Sequence, residues 1–215
     1  HYLAHTDSQG TLRSRLGDDI TLQTLGYGES LVHHGVRLSL HPAGHVLGSA
    51  QVRVEDRGQV WVASGDYFST GSGERNPTCS AFEPLRCHCF ITESTFGLPI
   101  YRWRPQAEVM GDIHAWRQHN AQAQRPSLLL AYSLGKAQRL LAGVDACIGP
   151  VLVHGAVESL NAVYRAAGVA LAPCQRADTV ARAELSRALV IAPPATHGSA
   201  WARRLGDFSD AFASG

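Results

Sequence analysis

Lysine is almost absent from this chain: eighteen arginines stand against the single Lys136. A bias of that kind is read as genome composition rather than function. Long apolar runs are also missing. No stretch approaches the ~18 consecutive apolar residues that a membrane span requires, which predicts a protein with no membrane partner. A charged-then-apolar leader is not seen at the start, so no signal peptide is expected. Cysteine is sparse and odd in number, with Cys79, Cys87, Cys89, Cys147 and Cys174 at irregular spacings. That excludes the regular framework of a secreted disulfide scaffold and leads to the expectation of a reduced, cytoplasmic protein. The net charge of +1 does not by itself announce a nucleic-acid binder.

What is present is enough for a core. The 215 residues are 45% hydrophobic and 17% charged, so neither a metal nor a disulfide is needed merely to hold a fold. The charge is unevenly spread. Residues 1–96 carry 7 Arg against 10 Asp and Glu, giving −3, whereas residues 97–215 carry 12 Lys and Arg against 8 acids, giving +4. Such a split suits a cation-binding part beside an anion-binding part, and chance fits it equally well. The chain starts at His1 rather than Met and stops on a run of small residues, which leads to the expectation that it is a piece of a longer protein.

The first part reads as β-rich. Leu31-Val32, Val36 to Leu40, Ala50 to Val54 and Val60 to Ala63 are short apolar or β-branched runs separated by glycine-containing turns. Val52 and Val54, then Val60 and Val62, alternate about Asp56-Arg57-Gly58, which predicts a hairpin with one buried face. An early helix is expected with Thr6 or Ser8 as cap and Leu12 and Leu16 on one face. Residues 69–84 read as a loop, and Cys87 to Thr92 as a further strand.

From Phe96 the rhythm changes. Pro105 suits the first turn of a helix carrying Val109, Ile113 and Trp116. The runs Leu128 to Ala131, Val151 to Val153 and Leu189 to Ile191 read as buried strands. Helices are expected between them, one capped by Ser133 and one from Val157 ending at Gly168. Strand and helix alternating this way predict an α/β part with a doubly wound parallel sheet. The boundary is placed near residue 96, giving domains 1–96 and 97–215.

Three strand-end sites offer polar chemistry. His41-Pro42-Ala43-Gly44-His45 cannot be helical with Pro42 and Gly44 in it, and a loop His beside Gly can turn its imidazole toward a metal. The pair also reads as turn histidines with no ligand role. Asp66, in Ser64-Gly65-Asp66 after a strand, can bridge cations or cap a turn. Glu93, in Thr92-Glu93-Ser94, is another carboxylate at a strand end. Lesser features are the Ser69–Gly73 run, read as a surface loop, and Cys87-His88-Cys89, read as strand residues facing a core. Tyr101-Arg102-Trp103-Arg104 interleaves rings and cations as a nucleic-acid contact or a snorkelled pair would. Ser133, Lys136 and Arg139 sit at a predicted helix start that could favour an anion, although capping alone accounts for Ser133.

The ordered set Gly44-His45-x-x-Gly48-Ser49, Ser64-Gly65-Asp66 and Thr92-Glu93-Ser94-Thr95-Phe96-Gly97 resembles the β-CASP branch of the metallo-β-lactamase fold. The fuller strings, continuing through Tyr101 to Pro105, Gly135-Lys136-Ala137-Gln138-Arg139 and Ala192-Pro193-Pro194, resemble the bacterial ligase-associated DNA exonucleases. These are often labelled mRNA 3′-end processing factors. The resemblance implies a partial αββα metallo-β-lactamase sandwich over 1–96 and a β-CASP doubly wound cap over 97–215, with nucleic acid in the cleft between them. It implies His45 as a ligand to one metal and Asp66 as a bridge between two. Glu93 would be the acid that supports a histidine near the leaving group. Two divalent cations, zinc or manganese, are the implied cofactors, and a DNA ligase or helicase the implied protein partner.

The implied activity is metal-dependent DNA exonuclease, in DNA repair or end processing. RNA processing of the ribonuclease J type and a catalytically silent nucleic-acid-binding scaffold are the alternatives. The family's His-x-His-x-Asp-His cluster is not in the sequence, and its later histidines, in Ser-x-His and Thr-His-Gly contexts, are given no counterpart. His154-Gly155 mimics the latter but is given no ligand role. The expectation is a fragment lacking most metal ligands and inactive alone.

Overall fold

Arg57 and Gly58 both take positive φ, 47° and 80°, and this two-residue turn folds a pair of strands onto each other. The computed structural model describes residues 1–69 and 74–214, so most of the Ser69–Gly73 run lies outside the described residues. They form a mixed α/β protein of two compact units, His1–Tyr101 and Arg102–Gly215.

In the amino-terminal unit, β1 (Tyr2–His5) leads through a short 3-10 turn into α1 (Gln9–Leu16). β1 then pairs in parallel with β2 (Leu22–Leu25). A second sheet runs in the order β3 (Ser30–His33), β4 (Val36–Pro42), β5 (Ala50–Asp56), β6 (Gln59–Ala63), β7 (Cys89–Ile91). β3 to β6 are antiparallel neighbours, and β7 adds in parallel to β6. β4, β6 and β7 therefore all point the same way. The loops that follow them, carrying His45, Asp66 and Glu93, leave from one end of the sheet.

The carboxyl-terminal unit opens with α2 (Gln106–Gln122) and continues through β8 (Ser127–Leu130), α3 (Lys136–Leu141), β9 (Val151–Val153) and α4 (Gly155–Ala166). It closes with β10 (Gln175–Arg176), α5 (Arg182–Leu185), β11 (Leu189–Ala192), α6 (Ala200–Arg203) and β12 (Ser209–Phe212). Its sheet is wholly parallel, in the order β10-β9-β11-β8-β12. β8, β9 and β11 are buried along their whole length and read as unbroken apolar runs because helices cover both faces. Met110, Leu140, Leu141 and Val157 from α2, α3 and α4 pack on one face, and Leu185, Ala202 and Leu205 from α5 and α6 on the other. No helix among the described residues is long and apolar enough to cross a membrane.

Several local expectations are corrected. The valines about Arg57-Gly58 do not share a face: Val54 pairs with Trp61 and Val52 with Ala63, while Val60 and Val62 lie opposite Glu55 and Arg53. A two-residue turn fixes that register, and side-chain direction alternates with every residue. Leu12 is only half-buried and Leu16 is 47% exposed. The buried residue of α1 is Thr11. Ser8 does stand at the cap position of α1 but makes no capping bond, because its hydroxyl donates to Gly48 O at 2.8 Å. Ser133 does not cap α3. Gly135, at φ 79°, holds that position, and the Gln138 side chain accepts from its N–H at 2.8 Å. Pro105 stands one residue ahead of α2 rather than in its first turn.

Candidate functional site

The loop after β4 is shaped by two glycines. Gly44 has φ +76° and lies so close to neighbouring backbone that a Cβ there would meet Phe68 O at 2.6 Å and Phe82 N at 2.9 Å. Gly48, at φ +74°, is pressed as closely onto Ser8. Between them stands His45, whose backbone N–H donates to Ser49 Oγ at 3.1 Å. Its carbonyl accepts from Asn76 Nδ2 at 2.8 Å. Asn76 is itself buried and accepts at Oδ1 from the N–H and hydroxyl of Thr78.

The loop after β6 is bound to the loop after β4, since Phe68 N–H donates to Ala43 O at 2.9 Å. Ser64 is fully buried and its N–H donates to Ile91 O of β7, so the ends of β6 and β7 are held together. The result brings His45 Nε2 to 3.9 Å from Asp66 Oδ2. Both side chains are open to solvent, Asp66 more than His45. Glu93 accepts from the Thr95 N–H at 2.6 Å. The Thr95 bonds hold its carboxyl below the usual carboxylate range, and the nearby His45 adds to that in the same direction. His45 and Asp66 thus meet at the end of the sheet, and the loop of Glu93 leaves from that same end.

A histidine nitrogen and a carboxylate oxygen 3.9 Å apart fit two donors of one cation, since each bond to such a metal runs about 2.0–2.2 Å. The described residues contain no group of three or more His, Cys, Asp or Glu able to hold a metal ion. His41 does not join His45 and Asp66: its ring bonds Ser39 Oγ at 3.1 Å and Glu83 Oε2 at 3.2 Å.

The second candidate set is dispersed. Arg139 donates from Nε to Gln106 Oε1 on α2 at 2.7 Å. Ser133 contributes its carbonyl to Gln138 Nε2. Burial, and then the neighbouring Arg139, pull the Lys136 pKa down from its ordinary value. Arg104, just ahead of α2, is paired with Glu108 and Asp112 of that helix. His88 Nδ1 accepts from Val60 N–H, and Cys87 and Cys89 are half-buried free thiols. His154 caps α4 by accepting from Ala156 N–H at 3.1 Å. His114, expected on a helix surface, accepts at Nε2 from Asp145 N–H.

Two features were not read from the sequence. The Thr-His-Gly string is present at Thr196-His197-Gly198, just after β11, with His197 Nε2 3.3 Å from Asp210 Oδ2. The scaffold under His45 also escaped notice. In it the buried His5 ring stacks on Tyr27 at 3.5 Å and Tyr27 donates to Ser49 O. Asn76-Pro77-Thr78 has the composition of a side-chain-bonded turn, a signal that could have marked Asn76.

No family model matches the chain. It is 33% identical over 170 residues to a probable DNA ligase of Opitutus terrae, covering 78% of this chain and 16% of that protein. It is 26% identical over 126 residues to cleavage and polyadenylation specificity factor subunit 3 of Dictyostelium discoideum, covering 58% of this chain and 16% of that protein. With endoribonuclease YSH1 of Yarrowia lipolytica it shares 29% identity over 126 residues, again 58% of this chain and 14% of the relative. The chain therefore spans about a sixth of the length of the curated relatives it matches. By these matches, and by its own ordered motifs, the chain is a homologue of the β-CASP metallo-β-lactamase proteins.

Proposed function

We propose that this chain is part of a metal-dependent phosphodiester hydrolase, a DNA exonuclease of end processing. His45 and Asp66 are donors to divalent cations, zinc or manganese, and Glu93 is a carboxylate that positions the acid–base machinery. The observation that carries the reading is the 3.9 Å approach of His45 Nε2 to Asp66 Oδ2 beside Glu93, on three loops leaving one sheet end. Two divalent cations held there would supply a hydroxide near neutral pH and charge stabilisation for phosphodiester hydrolysis. The residues' own contribution is placement. The Asn76 and Ser49 bonds hold the His45 backbone, and the buried Ser64 holds the loop of Asp66 to β7. Glu93 is poised as an anion, not as a proton donor. One His and one Asp do not complete a two-cation site, so such a site needs further ligands.

The match extending over most of the chain to a protein called a probable DNA ligase supports DNA as substrate and a ligase as partner. The endoribonuclease names of other relatives support an RNA-processing reading as the second. The parallel-sheet unit fits the cap of such an enzyme and the amino-terminal unit part of its αββα sandwich. The test is the longer protein containing this chain, loaded with zinc or manganese, on single-stranded DNA and RNA of equal sequence. DNA degradation that disappears in Asp66→Asn is expected. Unchanged degradation in Asp66→Asn overturns the assignment, and faster RNA cleavage moves it to the second reading. Binding without cleavage of either strand points to a silent scaffold.

A further inference from the structure

The carboxyl-terminal unit has a pocket of about 230 Å³ outside the clusters already described. It lies between the connection that follows β10 and helix α6. Ala177, Leu185 and Leu205, all buried, form its apolar floor. Trp201, half-buried, forms one wall, and its indole meets the His154 ring edge-to-face at 4.8 Å. Arg182 and Arg204, both exposed, stand at the rim.

The state of those two arginines distinguishes the pocket from an ordinary packing gap. Most other arginines of this unit have their guanidinium groups bonded: Arg117 to backbone carbonyls, Arg125 to Asp207, Arg165 to Glu158 and Arg176 to Asp178. Arg182 and Arg204 have no guanidinium hydrogen bond or ion pair among the described residues. Arg182 Nη2 lies over Gly206, where an added Cβ would come within 3.6 Å of it. Its head therefore reaches toward the end of α6, where Arg204 lies. Asp178 is bonded at both oxygens by Arg176, and Arg204 adds a weaker electrostatic attraction to it without a hydrogen bond. Two cations thus flank an indole over an apolar floor.

The volume limits what enters. It is below the roughly 300–1,000 Å³ of sites for drug-sized molecules, so the pocket takes a single ring with one charged group. An indole face offers stacking to any base, and an arginine fork matches phosphate oxygens bidentately. We propose that this pocket is a nucleotide subsite, with one base against Trp201 and its attached phosphate between Arg182 and Arg204. The proposal deepens the nucleic-acid reading above and rests on it for the polymer as source. A free mononucleotide offers the same chemistry.

The test is equilibrium binding to the chain with EDTA present, so that it is independent of metal and cleavage. The probes are a fluorescent single-stranded oligothymidine decamer, thymidine monophosphate and inorganic phosphate. Arg182→Ala/Arg204→Ala, whose changes are at the surface, is expected to bind the decamer about 10-fold more weakly, with a salt slope shallower by about 1 to 2. Trp201→Ala is expected to lose a similar factor and Trp201→Phe to recover most of it. Loss confined to the decamer identifies a strand residue as the occupant, and equal loss with the mononucleotide identifies a free nucleotide. Each supports the subsite. Unchanged binding of every probe by a folded double variant overturns it, as does a wild-type chain that binds neither decamer nor mononucleotide. Competition by inorganic phosphate as strong as by the mononucleotide overturns the base-stacking half. Because cleavage is not read, failure here leaves the Asp66→Asn test standing, and failure there leaves this one standing.

Discussion

The side-chain amide of Asn76 donates to the carbonyl oxygen of His45 at 2.8 Å, linking residues 31 positions apart. The bond is partly buried, and Asn76, itself buried, accepts at its oxygen from Thr78. The His45 loop is therefore held in part from a segment about thirty residues further along the chain.

Asn76→Ala removes that donor and orphans the Thr78 N–H and hydroxyl. A loss of about 1–3 kcal/mol is expected in urea denaturation, the usual cost of stranding buried polar groups. Asn76→Asp keeps the acceptor for Thr78 but sets an oxygen against the His45 carbonyl. It should also destabilise, and in the longer protein it should weaken metal affinity. Wild-type stability in both variants would show the contact to be dispensable.

At Gly44 two costs coincide. Its φ of +76° is strained for any side chain, and the Cβ of an alanine would press on the Phe68 and Phe82 backbone. Gly44→Ala is expected to cost more than about 1 kcal/mol by thermal melting. Gly28→Ala is the control: its φ is +78° but its surroundings are open, so it should cost less.

His5 adds a pH dependence. Its ring is buried against Tyr27, and burial lowers its pKa despite the opposing charges of Asp7 and Glu29. The unfolded chain then takes up a proton near the ordinary histidine value of 6.5, before the folded one does. Stability is therefore fully present above that value and declines as pH falls toward the lowered folded pKa. His5→Asn keeps a side-chain acceptor for the Asp7 N–H and removes the titration. Its melting temperature should fall less than that of wild type between pH 7 and 5, and parallel curves would contradict the assignment.

Arg117 lies wholly within the carboxyl-terminal unit, donating to the carbonyls of Asp145, Gly149 and Pro150. These carbonyls belong to the turn before β9, so one side chain on α2 organises a connection about 30 residues away. Arg117→Met fills part of the volume but strands the carbonyls. A loss of about 3 kcal/mol or more is expected by urea denaturation. A loss below about 1 kcal/mol would mean that the turn finds other donors.

The strands β3 to β6 and β8, β9 and β11 were legible because their signals are local. Short runs of branched or apolar side chains end at residues such as Arg57-Gly58 or Gly65, whose turns depend on a few adjacent residues. The helix ending at Gly168 was legible for the same reason, since that glycine takes φ +81°. His45, Asp66 and Glu93 were visible as an ordered set of strand-end residues. The sequence did not reveal β1, β2, β10, β12, α5 or α6, each of two to four residues. Elements so short carry too few side chains to show a period.

What the sequence by itself determined, then, is where the chain turns, which runs are apolar, and the order in which polar residues follow strands. Only the tertiary structure decided which faces those runs present. A shift of one residue in the β5–β6 pairing would bring Val52 and Val62 to the same side, and nothing within either strand selects the register. It also decided that β7 lies parallel to β6, which sets Glu93 beside the loop of Asp66 rather than at the opposite end. The turn geometry at Arg57-Gly58 made the first choice, and hydrogen bonds between segments far apart in sequence, such as Ser64 N–H to Ile91 O, made the second.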